Sequence, residues 1–139
     1  MPSAGNRGFG SRREDRETVL GILYAAETQG RENLEVLNEQ PVKPESYVYD
    51  LIEGIASKRE EIDLLIENNA EEWHLDRMPV VDRAVLRLAV LELINFPETS
   101  IATVINEAVE LVGEYSTENS KRFVNGLLSQ IAVSYTHLR

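Results

Sequence analysis

The stretch from Pro79 to Phe96, PVVDRAVLRLAVLELINF, is apolar around most of the circumference that a helix would give it. A helix without a polar face is stable only when other helices cover it on most sides. The rest of the chain therefore has to supply covering helices, and its periodicity does so. Val19, Ile22, Leu23 and Ala26 fall at i, i+3, i+4 and i+7, and Val48, Leu51, Ile52 and Ile55 repeat the spacing. Ile62, Leu65 and Ile66, then Val104, Ala108 and Leu111, then Val124, Leu127, Leu128 and Ile131 continue it. No segment alternates with period two for long enough to read as a strand. The fold class is all-α, with about seven helices.

Local signals place the boundaries. Ser11-Arg12-Arg13-Glu14 has the spacing of a capping box, so the first helix is expected to start at Ser11 and to stop at Gly30. A short helix over Asn33 to Gln40 ends at Pro41, and Pro44 suits the first turn of the next one. Ser57-Lys58-Arg59-Glu60 repeats the capping-box spacing and marks either a new helix or a kinked continuation. The run from Glu114 to Ser120 is rich in cap and turn formers and separates the last two helices, the first of them ending near Gly113. Gly126 lies within the last helix, where glycine costs about 1 kcal/mol relative to alanine, so the close approach of another helix backbone is expected there.

The two ends read differently. Residues 1–10 hold three glycines and a proline and are expected to form a disordered leader. Ser134 to Arg139 shows no continuing periodicity and reads as an unstructured tail or a non-native extension, with no role for His137. The chain has 139 residues and an apolar fraction of 42%, enough for one packed core. It has no cysteine, which removes disulfide scaffolds, thiol catalysis and cysteine-ligated zinc. No run approaches the roughly 18 apolar residues of a membrane span, and no apolar signal segment opens the chain, so a cytoplasmic location is expected.

Charge narrows the class of partner. The net charge is −10, which argues against a general polyanion binder. The distribution is uneven, however. Arg7, Arg12, Arg13 and Arg16 against Glu14 and Asp15 give the first 16 residues a charge of +2, leaving −12 on the remainder. On charge alone such an end is either a solvated arginine cluster or a phosphate-contacting one.

Catalytic constellations are missing. There is no phosphate-binding glycine loop, no dinucleotide fingerprint, no zinc-protease helix and no nucleophile elbow. Glu71, Glu72 and His74 have no metal-ligand spacing, so His74 reads as a surface histidine, and neighbouring Trp73 as a core anchor. Asp82, Arg83, Arg87 and Glu92, the polar exceptions of the apolar segment, read as rim positions or structural ion pairs. Phe123, in Ser120-Lys121-Arg122-Phe123 at the start of the last helix, either packs in the core or offers a plane on which an RNA base stacks.

Three ordered motifs then resemble a known family. Val81-Asp82-Arg83-Ala84-Val85-Leu86-Arg87-Leu88-Ala89-Val90-Leu91-Glu92-Leu93, Ile105-Asn106-Glu107-Ala108-Val109-Glu110-Leu111 and Phe123-Val124-Asn125-Gly126-Leu127-Leu128 look like the successive C-terminal signatures of NusB. Arg12-Arg13-Glu14-Asp15-Arg16-Glu17, leading to Ile22-Leu23-Tyr24, is similar to that family's opening, with Gly21 where glutamine is usual. The resemblance covers about residues 11–132. It implies an N-terminal three-helix part to about residue 70, a C-terminal bundle from about 73, and a tail at 133–139.

In function it implies a non-enzymatic transcription antitermination factor without cofactors. Such a factor pairs with NusE, a ribosomal small-subunit protein, binds the single-stranded boxA element of nascent ribosomal RNA, and makes RNA polymerase resistant to termination. Carried over, Arg12, Arg13 and Arg16 would contact RNA phosphates, Lys121 and Phe123 would form the second side of the RNA surface, and Tyr24 and Asp82 would face NusE. Some family members form homodimers that hide the RNA surface. NusB-like domains also occur fused to ribosomal RNA methyltransferases, which makes an accessory domain the alternative.

Overall fold

The computed structural model describes residues 9–71 and 73–138, and among these it is helical throughout, with no strand. The helices are α1 (Phe9–Gln29), α2 (Asn33–Asn38), α3 (Ser46–Ser57), α4 (Arg59–Asn69), α5 (Val80–Asn95), α6 (Ile101–Tyr115) and α7 (Glu118–Leu138), with a single 3-10 turn at Leu75–Arg77.

The apolar α5 is the axis of the molecule. It packs against α1, α3, α4, α6 and α7, and Val85, Leu86, Val90 and Leu91 have no exposed surface. Fully burying each such side chain contributes about 1.5–3 kcal/mol, so this helix carries much of the core. Around it α1, α2 and α3 pack on one another, while α4 packs on α5 and α7, and the buried side chains form one continuous cluster.

Several boundaries differ from the sequence expectation. Helix α1 already includes Phe9 and Gly10, so Ser11 is a helical residue and cannot cap the start, because a cap residue needs extended backbone. The rest of the expected leader, residues 1–8, lies outside the described residues. Ser57 closes α3 and its hydroxyl donates to the Gly54 carbonyl, while Lys58 alone breaks the path before α4, so this is a new helix without a capping box. Gly30 does end α1, in the left-handed region at φ +65°, where a side chain would be strained.

The expected unstructured tail is helical as far as Leu138. The reason is legible afterwards: Tyr135 follows Ile131 by four and packs against the core, so the stripe continues. Gly126 is exposed, and a Cβ there would meet nothing within 4 Å, so no helix approaches it. The close approach is at Gly54 instead, to a side chain and not a backbone: a Cβ there would lie 2.8 Å from the Leu91 side chain, and one of the two would have to shift.

Candidate nucleic-acid interface

The first turns of α1 show how the basic opening is used. Its apolar stripe runs backward from Val19 through Arg16 to Arg12 at helical spacing, which aims Arg16 at the core. Arg16 is 3% exposed. Its Nε donates to Glu92 Oε1 at 2.9 Å and its Nη2 to Glu92 Oε2 at 2.8 Å, while the Tyr47 hydroxyl donates to the same Oε2 at 2.6 Å. Burial works against the Arg16 cation, but the Glu92 hydrogen bond and charge outweigh it and hold the guanidinium above its ordinary pKa. Burial, and then the Glu92 charge, push the Tyr47 phenol well up. Arg16 is thus part of a buried charged triad and is not placed to touch RNA, a correction of the sequence expectation.

Its neighbours are graded toward solvent. Arg13 forks onto Glu107 of α6, Nε to Oε1 at 3.2 Å and Nη2 to Oε2 at 3.0 Å, and that hydrogen bond raises its pKa. Arg12 is exposed, and its guanidinium carbon lies 3.6 Å from the centroid of the Tyr47 ring, a cation–π contact on the outer face of the triad. Of the three arginines, only Arg12 offers a cation that no carboxylate claims among the described residues.

The start of α7 is arranged differently. The Ser120 amide donates to the Thr117 hydroxyl, closing the first turn. Lys121 and Arg122 are exposed and have no carboxylate partner among the described residues. The Lys121 stem lies on Gly113 of α6, where a Cβ would come within 3.0 Å of its Cδ. Phe123 is half-buried and stands edge-on to Trp73, with ring centroids 6.3 Å apart and planes inclined by 61°. Lys121 and Phe123 sit about 200° apart around the helix, so they flank the surface rather than share one pocket.

Trp73 is the residue that sequence reasoning misplaced. It is 53% exposed, not a core anchor, and with Phe123, Met78, Pro79 and Thr117 it lines a groove of about 340 Å³. Asp82 lies at the floor of this groove, 3% exposed, and accepts hydrogen bonds from the hydroxyls of Ser116 at 2.6 Å and Ser120 at 2.8 Å. It joins α5 to the start of α7. That corrects both its expected rim position and its expected place on a partner-facing surface, and a charge reversal there would break the fold before it tested any contact.

Tyr24, by contrast, is on the surface, 46% exposed. It lines a second groove of about 390 Å³ with Leu20, Gly21, Val81 and Tyr115. No atom lies within 4 Å of a Cβ on Gly21, so the glycine leaves this groove open. The remaining polar exceptions of α5 are ion pairs, as one of the two sequence readings had it. Arg83 Nε donates to Glu27 at 3.0 Å and holds that carboxyl below its usual pKa, and Arg87 forks onto Asp63 at 2.9 and 3.3 Å. His74 is exposed, with Nδ1 3.8 Å from the Glu67 carboxylate. Among the described residues no group of acidic and histidine side chains could hold a metal ion, and no helix is long and apolar enough to cross a membrane.

Comparison with known proteins agrees with this architecture. The chain is 45% identical over 130 residues to the transcription antitermination protein NusB of Salinispora tropica, covering 88% of this chain and 95% of that one. NusB from T. maritima superposes with a TM-score of 0.79 at 38% identity, over 87% of this chain and 89% of the other. A chain from the crystal structure of antitermination factors NusB and NusE in complex with dsRNA matches with a TM-score of 0.79 at 32% identity, over 92% of this chain and 100% of that one. The family model for NusB matches residues 13–133, and the chain belongs to the NusB family of transcription antitermination proteins.

Proposed function

We propose that this protein is an adaptor that works by binding alone, in the cytoplasm: with NusE it captures boxA RNA on the nascent ribosomal transcript and protects elongating RNA polymerase from termination. The observation that supports this most is the start of α7, where Lys121 and Arg122 face solvent on the helix that also sets the half-buried Phe123 against the exposed Trp73. Cations for phosphates next to aromatic planes for bases are what a single-stranded RNA site requires. The solved NusB–NusE complex contains dsRNA. Here the aromatic groove favours a single strand, because bases in a duplex are already stacked and cannot enter it.

The Tyr24 groove is the proposed NusE face. A chain of net charge −10 suits a basic ribosomal partner, since complementary fields speed encounter and exclude wrong partners. The accessory-domain alternative is not favoured, because the curated relatives are antitermination proteins of which this chain covers nearly the whole length. The test is a titration of boxA-like and scrambled RNA with the protein alone and with NusE. Weak binding alone and tighter, sequence-selective binding with NusE are expected. Equal affinity for the two RNAs in the presence of NusE would refute the role.

A further inference from the structure

We infer that Trp73 is a base-stacking residue, holding one unpaired nucleobase of single-stranded RNA against its indole face with Phe123 as the side wall of the site. This rests on the RNA-binding reading and adds to it a recognition residue on the loop before α5.

Exposure is the first reason. A tryptophan that is 53% exposed forgoes much of the burial that an interhelical anchor would gain, and it does so beside a second, half-exposed aromatic ring. The inclination of 61° between the rings rules out a parallel sandwich, so a base stacks on one face of Trp73 while Phe123 closes the groove edge-on. The groove is apolar at its walls, with Met78, Pro79 and the two rings, and polar at its floor, with Asp82 and Thr117. A π-face with a polar edge is the chemistry of a nucleobase.

Preorganisation is the second reason. Glu71, two residues before Trp73, stands at φ +56°, a left-handed backbone that non-glycine residues seldom adopt. The Trp73 amide donates to the Ala70 carbonyl at 3.1 Å, the Leu75 amide donates to Glu67, and Arg83 Nη1 donates to the Met78 carbonyl at 2.7 Å. Arg83 is itself held by Glu27, so α1, α4 and α5 all fix the loop that presents the indole. A ring held in place before binding loses little entropy when a base arrives.

Charge complementarity is the third. Arg122, next to Phe123 in α7, is exposed with no carboxylate partner among the described residues and supplies a cation for a phosphate flanking the stacked base, while Lys121 lies farther round the helix.

The chain has one tryptophan, which makes the test direct. The protein is prepared with 5-fluorotryptophan, so its single fluorine resonance reports Trp73 whatever tryptophans NusE contributes. Labelled boxA-like RNA is then titrated in the presence of NusE, with anisotropy following binding. The fluorine resonance should shift and saturate together with the anisotropy. Trp73→Ala should weaken binding roughly 5- to 150-fold, the range for losing one base–aromatic stack, while Trp73→Phe should retain most of it. RNA binding with an unmoved resonance and an unchanged affinity for Trp73→Ala would overturn the stacking role and leave the adaptor reading standing. Absence of any binding by anisotropy would overturn both.

Discussion

At the start of α1 the cations are neutralised inside the protein, Arg16 by Glu92 and Arg13 by Glu107, whereas at the start of α7 Lys121 and Arg122 are left to solvent. The two segments have similar local charge and opposite fates, and what each side chain meets on the neighbouring helices decides between them. Arg16 and Lys121 hold the same phase, three residues before Val19 and Val124, but Arg16 meets Glu92 of α5 whereas the Lys121 stem lies on Gly113 of α6 with no carboxylate partner among the described residues, and Arg122 lies off its stripe. A basic patch in a sequence is therefore two different things. One is an internal strut that sets the angle of α1 against α5 and α6; the other is a surface that can release counterions when it meets phosphate.

Four variants should break or sharpen that contrast. The largest effect is expected from Glu92→Ala, which leaves the Arg16 cation buried without its partner. Losing one member of a buried pair costs about 3–5 kcal/mol, readable as a lowered urea midpoint with an unchanged slope. Tyr47→Phe comes next, removing a hydrogen bond to a charged group worth about 1.5–3 kcal/mol. It also carries a pH signature. Folding raises the Tyr47 pKa, so its contribution is complete below the unfolded value near 10 and declines as pH rises beyond it. Parent protein should lose stability above about pH 10 more steeply than the phenylalanine variant.

The other two act on RNA. Lys121→Ala with Arg122→Ala should leave the urea midpoint within about 0.5 kcal/mol of the parent and lower the salt slope of RNA binding by about two. Arg12→Ala is the smallest change, a loss of about one from the same slope and about 0.5–1 kcal/mol of stability from the contact with Tyr47. An Arg12 variant with a large stability loss and an intact slope would move Arg12 to the internal side of the comparison.

Much of this was legible in the sequence, for a physical reason. Helices are local, so periodicity gave the seven helices, and α5 was central because nothing but burial suits a helix apolar all round. The arginine-rich opening misled because composition carries no direction. Phase alone does not supply it, since counting back by three gives Arg16 from Val19 and Lys121 from Val124, and only Arg16 is buried. A carboxylate at Glu92 between Leu91 and Leu93 signalled the need for a cation, but which one is a tertiary fact. Trp73 and Gly126 were misread for the same reason: what faces a bulky or a missing side chain depends on elements remote in sequence. Asp82 was misplaced because its partners, Ser116 and Ser120, lie more than thirty residues away.

The salt dependence of RNA binding in the presence of NusE is the most direct test of this division of charge. The variant to measure is Arg16→Met with Tyr47→Phe and Glu92→Leu, which removes the whole buried triad, keeps the ring beneath Arg12 and leaves no charge unpaired. Replacing a buried ion pair by apolar side chains of similar volume is often neutral or stabilising, so a folded protein is expected. Its affinity and salt slope should match the parent's. A slope lower by about one, the loss of a single phosphate contact, would show that Arg16 reaches RNA and would contradict the division.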